Sequence, residues 1–332
     1  MKLFTDGFLL KTRKSRTMIN NIYPLVTIAI PTYNRANSYL GQTLQSALSQ
    51  TYQNIEIIVS DNCSSDNTEM VVKSFSDPRI RYFKQAKNIG PNNNFNFCLE
   101  QAKGDYFLLL QDDDLIDSDF VEVCMRAANY NTDIGIIRTG TRVIDSNGTV
   151  LYESPNMVGG LAIEDFFRGW FAGKTSWYLC STLFNTKRLR EIGGFQSKHQ
   201  LVQDGMAIVQ LAAKFGRVDV REVKASFRKH PSEMTFATKV SHWCEDYLIL
   251  LNLMCSLVSR DKELVRNEGM RFFCTLNYNR ARAIKSSVKR FSTYLMVYRK
   301  FGYKHSPLRY LVLPRVLRII KQVLKPIRQR SQ

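Results

Sequence analysis

The sixteen residues GDYFLLLQDDDLIDSD, from Gly104 to Asp119, decide how the rest of the chain is read. Tyr106 to Leu110 is apolar at every position, which marks a strand buried on both faces, as in the middle of a parallel sheet. The run stops at three successive aspartates, Asp112 to Asp114. In an open α/β sheet ligands bind at the carboxyl ends of the strands, and adjacent carboxylates repel one another unless a cation shares them. One reading is therefore a divalent-metal site of oxygen ligands suited to Mg or Mn, which take their other ligands from phosphates and water. The other is a solvated turn leading into a helix capped by Ser118. Spacing alone leaves both open.

Upstream of this stretch, strand and helix patterns alternate. Val26 to Ile30 is a β-rich run closed by Pro31, and Asn37 to Gln50 has apolar residues at helical spacing. Ile55 to Val59 is the next strand, followed by the polar loop Asp61 to Asn67 and a helix over Thr68 to Phe75. Ile80 to Phe83 and a helix over Asn92 to Ala102 complete the series. The alternation predicts an α/β fold with a right-handed, doubly wound sheet. Its polar loops, Thr32 to Arg35, Asp61 to Asp66, Asn88 to Asn94 and Gln111 to Asp114, all fall on the carboxyl edge. Neither a dinucleotide fingerprint nor a P-loop follows any of these strands, so a diphosphate must be held by other means, with metal at the aspartates, Arg35 and loop amides as candidates.

Downstream the elements shorten, and the sheet is expected to become mixed. Val143 to Tyr152 reads as a hairpin around Asn147-Gly148, and Val218 to Phe227 as two short strands. Ile163 to Phe171 is amphipathic; Trp170, Phe171 and Trp177 either stack on a sugar or pack the core. A helix ends at Gly193-Gly194 and another runs from Asp204 to Phe215. Beyond Phe236 the pattern is helical.

The chain has 332 residues and a net charge of +18, and 19 of its 47 Lys and Arg lie beyond Ser259 against three acids, Asp261, Glu263 and Glu268. The excess therefore belongs to the last quarter. From Leu308 to Ile327 apolar residues at helical spacing carry Arg315, Arg318, Lys321 and Lys325 mostly opposite, which fits a membrane-surface helix or a face packed on the rest of the protein. Basic residues interleaved with Leu, Ile and Val, rather than with stacking aromatics, argue for no nucleic-acid partner. Seven scattered cysteines without C-x-x-C spacing give no disulfide framework or zinc site and fit a reducing cytosol. No apolar run reaches the length of a membrane span, and no signal peptide follows the basic opening, so a cytoplasmic protein is expected.

Four loops together resemble glycosyltransferase family 2, the inverting sugar-nucleotide transferases of GT-A fold, over about Val26 to Pro231. IPTYNR (Ile30 to Arg35) is similar to the family's first strand and loop, and IIVSDNCSSDNT (Ile57 to Thr68) to its nucleotide loop. FLLLQDDD (Phe107 to Asp114) is similar to its D-x-D region, and IGGF (Ile192 to Phe195) followed by Gln203-Asp204 to its G-G-F and E-D pair. The chain departs at Asn62 for the second acid of the nucleotide loop, at Cys63 for its usual glycine, at Gln111 for the first acid of D-x-D, and at Gln203 for the acid before the base.

The resemblance implies a Rossmann-like, mostly parallel GT-A sheet with a helical, basic C-terminal region. It divides the chain into an extension (1–22), a nucleotide-sugar half (23–130), an acceptor half (131–235) and the helical region (236–332). It implies a nucleotide-sugar site of Pro31, Tyr33, Asn34, Arg35, Asp61, Asn88 and Asp112, with Asp61 on the base. It implies a divalent metal, Mn or Mg, on Asp113, Asp114 and His230, the last from FRKHPSEMT (Phe227 to Thr235). Asp204 is the implied general base. The expected partners are a UDP- or dTDP-type sugar nucleotide, a saccharide or lipid-linked acceptor, and the membrane surface, in bacterial polysaccharide synthesis. Two rivals remain for the whole chain: a sugar-phosphate nucleotidyltransferase, for which PTYNRA lacks the Gly-rich loop, and a basic nucleic-acid binder. For Asp204 the rival role is a helix N-cap.

Overall fold

The computed structural model describes residues 23–230 and 238–311. The proposed extension 1–22, the segment 231–237 and most of the amphipathic stretch beyond Leu311 lie outside the described residues. Strands β1 (Val26–Thr32), β2 (Ile55–Asp61) and β4 (Tyr106–Leu109) are buried at every position. This is what continuous apolar runs produce when both faces of a sheet are covered. β1 pairs in parallel with both β2 and β4, and β2 with β3 (Ile80–Lys84). The pairing of β1 with β4 ends at Ala29 and Leu109, so Pro31 stands where no β4 partner needs its missing N–H.

Helices α1 (Leu40–Leu48), α2 (Thr68–Lys73) and α3 (Pro91–Gln101) fill the three connections. Alternate strand residues feed two cores: Ile28, Ile57 and Leu108 pack with α1, and Ala29, Ile58, Phe107 and Leu109 with α3. After β4 come the short β5 (Leu115–Ile116) and α4 (Phe120–Ala127). β6 (Ile136–Ile144) and β7 (Val150–Ser154) form the expected hairpin around Asn147-Gly148.

The second half of the sheet is mixed. β8 (Thr182–Asn185) inserts antiparallel between β4 and β6, and β9 (Arg217–Arg228) runs parallel to β6. The strand order is β3-β2-β1-β4-β8-β6-β9-β5, with β7 on β6. Four of the eight pairings are parallel, so the mostly parallel sheet holds only for the first half. The two short strands expected within Val218 to Phe227 are one strand with register shifts opposite Gly140, where the broken alternation mimics two pieces.

α5 (Ile163–Phe171), α6 (Thr186–Glu191) and α7 (Gln203–Phe215) follow their predicted spacing. Trp170 and Trp177 stack on each other with ring centres 3.9 Å apart, and Trp170 also meets Phe272 and Phe273 edge-on. These aromatics pack the core. α8 (Val240–Leu257), α9 (Lys262–Arg282) and α10 (Ser287–Lys300) share one apolar cluster with α3, α5 and α7, so the helical region is continuous with the core on that face of the sheet. Of the expected basic C-terminal helix only its start, α11 (Leu308–Leu311), is described. No described helix is long and apolar enough to cross a membrane.

Candidate active site at the carboxyl edge of the sheet

β1 and β2 deliver their loops to one edge, where the turns lock together. Asn34, at φ 54, receives the Ser65 N–H on its side-chain oxygen and donates its own N–H to Ser64 Oγ. Asp61, fully buried, accepts the Ser64 N–H on Oδ1 at 2.7 Å and the Tyr82 hydroxyl on Oδ2 at 2.6 Å. Cys63 sits in the left-handed region at φ 68, a conformation that favours glycine. Asn62 donates to the Asn88 side-chain oxygen and accepts the Ile89 N–H, so it ties the nucleotide loop to the loop before α3. Tyr33 is exposed at the rim.

The three aspartates after β4 do not converge; each has its own partner. Asp112 Oδ1 faces Arg35 Nε at 3.4 Å. Burial first, and the Asp113 charge second, push its carboxyl up to about 6 despite the arginine. Asp113 Oδ2 meets His230 Nε2 at 2.8 Å, with Arg35 at 3.9 Å. Asp114 is closed off from solvent and accepts the Arg228 N–H at 2.9 Å; burial, reinforced by Asp113, raises its carboxyl well above the usual range. The mutual repulsion that argued for a cation is thus relieved partly by protein donors.

Arg228 is the residue that sequence reading passed over. It donates to the Asp113 carbonyl and to Gln42 Oε1, and its guanidinium lies 4.2 Å from the Tyr39 ring centre, so it buttresses the loop from beneath. Its position one step before Lys229-His230, at the end of a strand, was the available signal. Among the described residues no three His, Cys, Asp or Glu side chains form a metal cage. Asp113, partly exposed, and the buried His230 bond to each other at 2.8 Å, and the carboxylate and imidazole together are a donor pair whose chemistry suits a divalent ion completed by phosphates and water. Asp114, with Oδ1 taken from inside, does not share that position.

Asp204 reaches the same edge by another route. α7 runs directly through Gly216 into the start of β9, which is parallel to β6, so its first turn lies at the carboxyl edge. The N-cap position is Val202, and Asp204 Oδ1 accepts the N–H of Gly205 within the first turn. Asp204 is therefore not the N-cap residue, although it does satisfy one first-turn amide. Burial pushes its carboxyl up to about 6, and no cation pairs with it among the described residues. Gly205 beside it lies against Leu250 of α8 and Trp177.

The sheet order and the carboxyl-edge loops define a mixed α/β fold of GT-A type. Solved structures bear on the fold alone. The S. aureus TarS 1–349 complex with UDP-GlcNAc matches at a TM-score of 0.64 and 15% identity, over 83% of this chain and 80% of that one. A mannosyltransferase from Pyrobaculum calidifontis in complex with GDP-Man and Mn2+ matches at 0.54 and 17% identity, over 93% and 83%.

Residues 27–186 match the model of glycosyl transferase family 2. An uncharacterized glycosyltransferase of Rickettsia felis is 37% identical over 58% of this chain and 32% of its own length. A Campylobacter jejuni GalNAc(5)-diNAcBac-PP-undecaprenol beta-1,3-glucosyltransferase is 32% identical over 51% of this chain and 55% of its own. The chain spans about a third of the Rickettsia felis relative's length.

Proposed function

We propose that this chain transfers a sugar, with inversion and with the help of a divalent metal, from a UDP- or dTDP-type sugar nucleotide to a hydroxyl of a saccharide or lipid-linked acceptor in bacterial surface polysaccharide synthesis. The observation that carries the reading is the sharing of one sheet edge by the Arg35–Asp112–Asp113–His230 group and the Asp204 carboxylate, which no cation pairs among the described residues.

In this reading Asp61, Asn34 and the surrounding amides hold the base and ribose side, with Pro31 and Tyr33 on the first loop, Asn88 on the third and Asp112 at the ribose or metal. Arg35 stands beside the diphosphate. Asp113 and His230 hold the metal, and Asp114 fixes the loop that presents them. A bound Mn or Mg neutralises charge building on the departing diphosphate. His230 favours Mn, because imidazole suits the softer ion. Asp204 takes the proton of the acceptor hydroxyl as its oxygen bonds to the anomeric carbon. The bond from that carbon to the phosphate oxygen breaks on the opposite face, and the nucleoside diphosphate leaves with the electron pair.

A thermal-shift panel of UDP- and dTDP-sugars with and without Mn tests the site, since a ligand of the native state raises its apparent stability by mass action. Asp113→Ala should lose the Mn-dependent part of the shift and keep the fold; a shift equal to wild type with metal present refutes it. The C. jejuni relative's name includes an undecaprenol-linked acceptor, which supports a lipid-linked substrate and work at the inner face of the cytoplasmic membrane. At about 1 kcal/mol per basic residue near an anionic leaflet, the charges between Arg315 and Lys325 suffice for reversible attachment. Removing residues 305–332 should release the protein from anionic liposomes, and unchanged sedimentation of the shortened chain overturns this part.

A further inference from the structure

The segment from Gly193 to Val202, which delivers Asp204, has no regular structure of its own, yet it is held at both ends by residues distant in sequence. At its start Phe195 is fully buried. Its N–H donates to Asn96 Oδ1, and its carbonyl accepts from the side-chain amides of Asn92 and Asn96, all on α3. Gly194, at φ 75, passes so close to Asn96 that an added Cβ would collide with it.

At the other end a single carboxylate gathers the chain. Asp246 of α8 is fully buried. Its oxygens accept the N–H of His199 at 3.0 Å, the N–H of Leu201 at 3.2 Å and the hydroxyl of Ser197 at 2.9 Å. Ser197 Oγ in turn accepts the N–H groups of Leu201 and Val202. Val202 is the N-cap position of α7, two residues before Asp204. The neighbouring Glu245 holds the outside of the same segment through Lys198 and His199 and joins it to Lys300 of α10.

A buried carboxylate that gathers donors from several points of one loop fixes that loop more firmly than surface ion pairs do, because charge-assisted bonds away from water are strong and costly to leave unmade. We propose that Asp246 is a positioning residue for catalysis: from the helical region, beyond the family-matched segment, it sets the backbone from Ser197 to Val202 and thereby the place of the Asp204 carboxylate. This rests on Asp204 being the general base. It gives α8 a part in the chemistry without any contact with substrate, since a base misplaced by about 1 Å loses much of its effect.

The replacement Asp246→Asn keeps the shape but sets an amide where two backbone N–H groups point. Turnover should fall about tenfold or more, while the affinity for the sugar nucleotide, measured by thermal shift on the same sample, stays within about twofold of wild type. The decisive measurement is a double-mutant cycle. In an Asp204→Asn background the base is already gone, so Asp246→Asn should cost no further turnover, whereas a general loosening of the fold multiplies through. If Asp246→Asn does not fold, Ser197→Ala, which removes only the bridging hydroxyl, takes its place in the same cycle with a smaller loss.

Turnover of the folded Asp246 variant within twofold of wild type, or an equal loss in both backgrounds, overturns the proposal. Full activity in Asp204→Asn alone would instead remove the base reading, and Asp246 would lose its assigned role with it. Glu245→Gln, which touches only the outside of the loop, should stay within about twofold of wild type, because exposed ion pairs contribute little.

Discussion

Two groups of carboxylates meet at one edge of this sheet with different partners. On the nucleotide side Asp61 is answered by Tyr82 and the Ser64 amide and Asp113 by His230, while Asp112 faces Arg35 and is still pushed up to about 6 by burial. On the acceptor side Asp204 has one backbone amide and no cation among the described residues, and burial pushes its carboxyl up to about 6. Paired acids are suited to holding charge in place. An acid kept short of partners is suited to accepting a proton near neutral pH, where a base works best when its pKa lies close to the ambient value. In the proposed reading the difference separates a binding half from a reacting half on one continuous sheet.

The largest expected effect breaks the reacting half. Asp204→Asn should lower turnover by about a hundred- to ten-thousand-fold while leaving sugar-nucleotide affinity nearly unchanged. The same variant should melt at or above the wild-type temperature, because Asn keeps an acceptor for the Gly205 N–H and removes a desolvated charge that no cation offsets among the described residues. Transfer within a few-fold of wild type would take Asp204 out of the mechanism.

A second test sharpens the contrast through pH. With Asp204 as the proposed base, kcat/KM should reach its plateau above about pH 7 and fall by about tenfold or more per unit below about 6, where Asp112 on the nucleotide side titrates too. An aspartate at its ordinary value would hold the plateau down to about pH 4. The stability term has the opposite direction: with the folded-state value raised, Asp204 costs stability increasingly as pH rises from the unfolded value through about 6. That component should vanish in Asp204→Asn, which comparison of Tm against pH for the two proteins would measure.

The smallest effect concerns the binding half. Cys63 holds φ 68 in the nucleotide loop, so Cys63→Gly should relieve strain. The gain is limited to about 1 kcal/mol by the extra freedom glycine gives the unfolded chain. A fall in Tm instead would show that the thiol's contact with the Ala86 carbonyl outweighs the backbone cost.

Much of the binding half was legible because its signals are local. The apolar runs of β1, β2 and β4 and the acids that end them are contiguous, and the right-handed βαβ rule fixes where their loops emerge. The chemistry of the acids was less so: three adjacent aspartates implied a shared cation, but adjacency along the chain does not tell which of them is drawn inward to meet Arg228. The acceptor half was harder. β8 pairs between β4 and β6 across more than seventy residues of intervening chain, and β9's register shifts erased its alternation.

What the sequence by itself determined is the βα series, the loops on its carboxyl edge, the identity of the acids there and the concentration of positive charge in the last quarter. These follow from periodicities of two and 3.6 residues and from neighbours along the chain. Only the tertiary structure decided that Asp114 is internal, that Asp204 has no ionic partner among the described residues, and that Asn96 of α3 and Asp246 of α8 hold the loop between Phe195 and Val202. The reason is physical: a carboxylate's behaviour is set by its solvation and by the donors within hydrogen-bond reach. At this edge those donors come from residues up to 117 positions away in the chain.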